Sequence, residues 1–158
     1  MAKVDYIELI SRVTAPLPPL PIAELPPPPS LARLKVPLEQ ANVMIVASAG
    51  VHQRREPPFE HNNDLSFRRI VQNVDPLTIR PSHPSPIRRP GLLDINVVFP
   101  YQRLTELAAE GFIGAPTAFH LSMQGAIKRL RELVTETAPR MVLDAQAAGA
   151  DAVFLVPL

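Results

Sequence analysis

Asp151-Ala-Val-Phe-Leu-Val-Pro-Leu158 reads as a buried β-strand, entered from a helix that ends at Gly149. Residues 152–156 are all apolar, so neither face is left for water, as in a parallel sheet covered on both sides. A glycine behind a helical run supplies the left-handed residue that closes the helix. Asn42-Val-Met-Ile-Val-Ala-Ser48, bounded by Pro37 and Gly50, is a second strand of the same character. Open α/β sheets carry their active-site loops just past the carboxyl ends of such strands. Chemistry is therefore expected after Ser48 and after Val156.

Between these two strands the pattern alternates. Ile95-Asn-Val-Val-Phe99 is expected as a strand, which would put Asp94 and Asn96 on one face. Pro100 suits the first position of a helix to about Glu110, ended by Gly111, with Leu104, Leu107 and Ala108 as its buried stripe. Ile113 to Phe119 is expected to hold a brief extended segment that turns at Gly114. Ser122 is expected to cap a helix through Ile127, Leu130, Leu133 and Val134, and Pro139 to start another that Gly149 closes. Strands alternating with helices predict an α/β fold, a mostly parallel sheet flanked by helices.

Proline placement divides the chain. Of 20 prolines, nine fall between Pro16 and Pro37, including Pro26-Pro27-Pro28-Pro29. Proline fixes φ and removes a backbone donor, so this is extended or irregular chain. The predicted organisation is a short helix (residues 4–13) plus a proline-rich arm over 1–41, then an α/β domain over 42–158. The arm reads either as a ligand for an SH3-like or WW-like partner, or as a spacer laid over the domain. Residues 53–90 are polar and again interrupted by prolines. So long a connection is either a functional loop region or loosely ordered, with a short element at Leu65–Ile70.

Composition narrows the function classes. A net charge of +1 gives no footprint for nucleic acid, and no apolar run approaches the ~20 residues of a membrane helix. The N-terminus lacks the pattern of a signal peptide, so a cytoplasmic protein is expected. With no cysteine, the chain holds neither disulfide, thiolate metal site nor thiol nucleophile. The four histidines, His52, His61, His83 and His120, show no ligand spacing, and no metal is expected. Glycine-rich phosphate loops and the GxSxG elbow are absent as well. His52 stands out because it directly follows the first strand. Paired arginines at 54–55 and 68–69 have the forked donors that suit a carboxylate.

Several segments together resemble the selenoprotein B family of the glycine, sarcosine, betaine and D-proline reductases, most closely in layout its D-proline reductase branch. They are Val46-Ala-Ser-Ala-Gly-Val-His52, Asp64-Leu-Ser-Phe-Arg68, Asp94-Ile-Asn-Val-Val-Phe-Pro100, Arg103-Leu-Thr-Glu-Leu-Ala-Ala-Glu-Gly-Phe-Ile113 and Gly149-Ala-Asp-Ala-Val-Phe-Leu155. The match runs from about Asn42 to the end; the proline-rich front is outside it. The resemblance implies reductive cleavage of a C–N bond in an amino-acid-like substrate by a selenocysteine or cysteine that follows the last strand. It also implies a partner subunit whose pyruvoyl group holds the substrate, within an oligomeric complex. No catalytic residue then lies in residues 1–158, and none of the cofactor. Selenocysteine is encoded by UGA, so the expectation is a polypeptide that continues past Leu158, with a sheet left incomplete here. The rival expectation is a non-catalytic partner-binding or accessory protein that uses the arm. Within these residues the resemblance points to Gly50 and His52 at the site edge, Ser66 and Arg68 as positioning groups, and Asp94 and Asn96 as braces. His83 is followed by Pro84, Pro86 and Arg88-Arg89 where relatives carry a His/Tyr/Asp-rich stretch, which leaves the substrate open.

Overall fold

In the computed structural model the chain divides into two units, Met1–Arg33 and Leu34–Leu158. Residues 32–86 and 88–158 are described. The predicted helix at 4–13 and most of the proline-rich arm fall outside them.

The second unit is a three-layer α/β structure. Its strands are β1 (Asn42–Ala47), β2 (Val51–Gln53), β3 (Phe67–Val71), β4 (Ile79–Pro81), β5 (Ala115–Pro116), β6 (Phe119–Met123) and β7 (Ala152–Val156). The helices are α1 (Arg88–Leu93), α2 (Tyr101–Ala109), α3 (Leu130–Glu132) and α4 (Ala138–Ala147). The main sheet is parallel around β1, which pairs β7 on one side and β5 and β6 on the other. β3 closes the far edge, antiparallel to β6, and β2 pairs β4 in a separate antiparallel ribbon.

β1 is apolar throughout because both of its faces are covered. Val43, Ile45 and Ala47 face a core with Phe99, Tyr101, Leu104 and Ile113, whereas Met44 joins Leu121 and Met141 of α4 on the other side. Full burial of a ring such as Phe99 stabilises by roughly 1.5–3 kcal/mol. β3 is tied to α4 by a fork from Arg69, with Nε at 2.7 Å and Nη2 at 2.5 Å from the two Asp144 carboxylate oxygens.

Several local expectations change. Ile95–Val97 is a 3-10 turn, not a strand. The Asp94 carboxylate accepts the Asn96 N–H at 2.9 Å, and Val98 and Phe99 return their N–H groups to the Ile95 carbonyl. The backbone is satisfied locally, and the apolar run plugs the core without joining a ladder. Ser122 lies inside β6, not at a helix cap; its hydroxyl accepts the Val51 N–H at 2.7 Å. The two helices expected after Ser122 are one run. It starts at Leu130, passes through a π-helical turn at Leu133–Thr137 and continues as α4, with Pro139, which has no N–H to donate, just after the π-helical turn. Leu107 is exposed, so the buried side of α2 is Tyr101, Leu104 and half-buried Ala108. The stretch 53–90 is not loose: it contributes β3, β4 and α1.

β7 has no strand on its outer side among the described residues, and Val153, Phe154 and Leu155 are 45%, 50% and 67% exposed. A segment composed like a buried strand thus stands at the edge of the described sheet, and the burial expected for 152–156 on both faces does not hold.

Candidate functional site at the carboxyl edge of the parallel strands

β1, β6 and β7 end together. Ser48 donates its N–H to the Val156 carbonyl at 3.0 Å, and the Ser48 hydroxyl accepts the Leu158 N–H at 2.9 Å. The chain then turns at Gly50, whose φ of +63° is a left-handed conformation that favours glycine. Gly50 donates to the Met123 carbonyl at 2.8 Å, and its own carbonyl accepts both the N–H and the hydroxyl of Ser82, at 3.1 and 2.9 Å. His83 adds a bond from its N–H to the Ala49 carbonyl at 3.1 Å. The Ser82–His83 segment is therefore laid across the strand ends.

His83 is 7% exposed, and its Nδ1 accepts the Ser85 N–H at 3.1 Å, which assigns the proton of the neutral ring to Nε2. That Nε2 lies against Gly125. A Cβ there would sit 2.9 Å from it and 3.2 Å from the Ser48 carbonyl oxygen, so only glycine admits the ring so close to the edge. Burial, with Arg88 adding to it, lowers the His83 pKa and keeps the ring neutral at physiological pH.

His52, Ser66 and Arg68 are brought into one cluster. The Arg68 guanidinium lies 4.5 Å from the centre of the Phe59 ring, and Phe59 meets His52 edge-on at 6.4 Å between centroids. Arg68 also donates to the Ser66 hydroxyl at 2.9 Å, which donates to Asp64 Oδ1 at 2.5 Å. Burial pushes the Asp64 carboxyl up, but bonds from Ser66 and the Glu60 amide outweigh it and hold the group below its usual range. His52 is fully buried. Its Nδ1 meets the Gln53 carbonyl at 2.8 Å, and its Nε2 has no partner among the described residues. Burial is the largest cause of its lowered pKa, and Arg80 and Arg68 act in the same direction.

Asp94 and Asn96 stand apart, and their side-chain hydrogen bonds stay within their own turn and α2. The Asn96 amide donates to Asp94 Oδ1 at 2.9 Å and to Gln102 Oε1 at 2.6 Å. Their effect is to fix the turn that carries Phe99 into the core.

Ser48, Ser82 and Gly125 were not singled out by the sequence, and His83 only as a departure from the resemblance. No motif marks them. The one available signal was position, two residues or fewer beyond β1, β4 or β6. Chemically the edge offers neutral imidazoles that can donate, accept or take up a proton, and it has no nucleophilic thiol. Among the described residues there is no acid- or histidine-rich group able to hold a metal, and no helix long and apolar enough to cross a membrane.

No family model and no solved structure matches the chain. It is similar to D-proline reductase subunit gamma of Acetoanaerobium sticklandii, at 30% identity over 129 residues. The match covers 82% of this chain and 53% of that subunit, so the chain spans about half the length of this relative. This similarity supports a relationship to the reductase subunits over most of the chain.

Proposed function

We propose that this chain is the scaffold half of a selenocysteine- or cysteine-dependent reductase subunit that cleaves a C–N bond in an amino-acid-like substrate. The observation that carries the reading is the similarity to a reductase subunit over most of the chain, combined with strand ends that converge at Ser48. In this reading the redox-active residue lies outside residues 1–158, and the strand ends that meet at Ser48 form the edge it serves. A low-pKa chalcogen is anionic at neutral pH and so is the competent nucleophile.

The pyruvoyl group belongs to a partner subunit and would fix the substrate's amine. The residues described here have other tasks. Gly50 and Gly125 keep the backbone low beneath the substrate. His83 Nε2–H presents a hydrogen-bond donor at the edge, fixed in that tautomer by the Ser85 N–H on Nδ1. His52, Ser66 and Arg68 hold the flank in place. The active assembly is a complex of unlike subunits.

Sequencing the DNA beyond codon 158 tests the reading. An in-frame UGA followed by open coding sequence with a cysteine codon is the expected result. Consecutive stop codons, together with an intact mass from the host equal to 158 residues, overturn it.

A further inference from the structure

We propose that the cleft walled by Pro58, His61, Arg80, Pro81, Ser82 and Arg88 is a binding site for a small organic carboxylate. The cleft has a volume of about 290 Å³, and its lining holds two guanidiniums, an imidazole and a hydroxyl but no carboxylate. In a chain with 16 basic and 15 acidic side chains, that is a local excess of positive charge unlike the whole. The Arg80 guanidinium has no hydrogen-bond or ion-pair partner among the described residues. Arg88 is anchored by one nitrogen only, Nη1 to the His83 carbonyl at 2.7 Å, which leaves the rest of its fork for a ligand.

The nearby acids are engaged elsewhere. Glu56 accepts the Gln53 N–H at 3.1 Å, and Asp64 is taken by the Ser66 N–H and hydroxyl and by the Glu60 N–H. On the same face of the β2–β4 ribbon, opposite Arg80 in register, sits His52 with its buried unpartnered Nε2. His52 lies outside the lining of the cleft and adds no acid that would compete for Arg80.

A carboxylate suits this cleft better than a phosphate. Phosphate sites draw on converging main-chain N–H groups, and two of these wall residues are prolines that have none. The same prolines, with Leu92, give an apolar wall for the hydrocarbon part of an organic acid. Ser82 connects the cleft to the carboxyl edge, because its hydroxyl is bonded to Gly50 at 2.9 Å. The assignment stands independently of the reductase reading, since binding is measured without turnover.

The test is titration calorimetry of the full chain with acetate, succinate and inorganic phosphate at constant ionic strength. Saturable binding of acetate and succinate is expected, weakened by about tenfold or more in Arg80→Gln and retained in Arg54→Gln. Arg80 has no structural bond to lose, so its variant folds, and an unchanged circular dichroism spectrum verifies this. Three results overturn the assignment: no saturable binding of either carboxylate, unchanged affinity in Arg80→Gln, or tighter binding of phosphate than of succinate.

Discussion

The Ile45 backbone N–H donates to His120 Nδ1, at 3.1 Å, in the gap where β5 has left β1 and β6 has not yet joined it. A side chain from β6 replaces the carbonyl that the interrupted ladder lacks. The ring must be neutral to accept this bond, so the proton is on Nε2, which donates to Gln72 Oε1. Phe99 packs edge-on against the ring at 5.9 Å.

Stability should fall with acid through this residue. Burial lowers the His120 pKa from 6.5 to about 4. The unfolded chain takes up a proton near pH 6.5 that the folded chain refuses until about pH 4, so stability is fully present above 6.5 and is lost as pH falls between those values. The loss is on the order of 3 kcal/mol. Denaturant titrations at pH 7 and pH 4.5 should show it, and His120→Asn should flatten the slope. An equally steep slope in the variant would assign the effect to other groups.

Two glycines with similar backbone angles should differ in their tolerance of alanine. An alanine at Gly50 (φ +63°) or at Gly111 (φ +77°) meets the same left-handed cost of about 1–2 kcal/mol. A Cβ at Gly111 meets nothing, while at Gly50 it meets the Ser82 hydroxyl at 3.0 Å and Gln124 Oε1 at 3.3 Å. Gly50→Ala should therefore cost about 1–3 kcal/mol more by equilibrium unfolding. Equal costs would show that the Ser82 segment moves freely.

The titration of His52 reports on its cluster. Arg68 and Arg80 both disfavour its protonated form, so Arg68→Gln and Arg80→Gln should each raise its pKa. Phe59, 1% exposed, shields the ring, and Phe59→Ala should raise the pKa further while costing roughly 3–5 kcal/mol of stability. NMR titration of the ring protons measures all three; a lowered or unmoved pKa in the arginine variants contradicts the placement.

β7 should make the 158-residue chain self-associate. Its outer edge is unpaired among the described residues, and it carries no charge to discourage pairing. Leu155→Lys should weaken association by about tenfold, because burying an unpaired ammonium costs at least ~1.4 kcal/mol. Light scattering across a dilution series checks this. Association that is unaffected by the lysine would place the contact elsewhere.

Sequence alone determined the two strands β1 and β7, because both are short apolar runs between glycine and proline signals; it stated burial on both faces correctly for β1 only, since β7 stands at an edge with Val153, Phe154 and Leu155 exposed. It also determined the helix over Tyr101–Ala109 and the closing turns at Gly111 and Gly149. Only the tertiary structure decided the fate of Ile95–Phe99 and Ser122. An apolar run is equally compatible with a strand and with a core plug, and Asp94 settled the choice through a local hydrogen bond. A serine serves as readily inside a strand as at a cap, and the unpaired N–H of Val51 settled that one. The functional edge was hidden for the same reason. Ser48, His83 and Gly125 are far apart along the chain, and none forms a motif, so they acquire a common purpose only when the parallel strands end side by side.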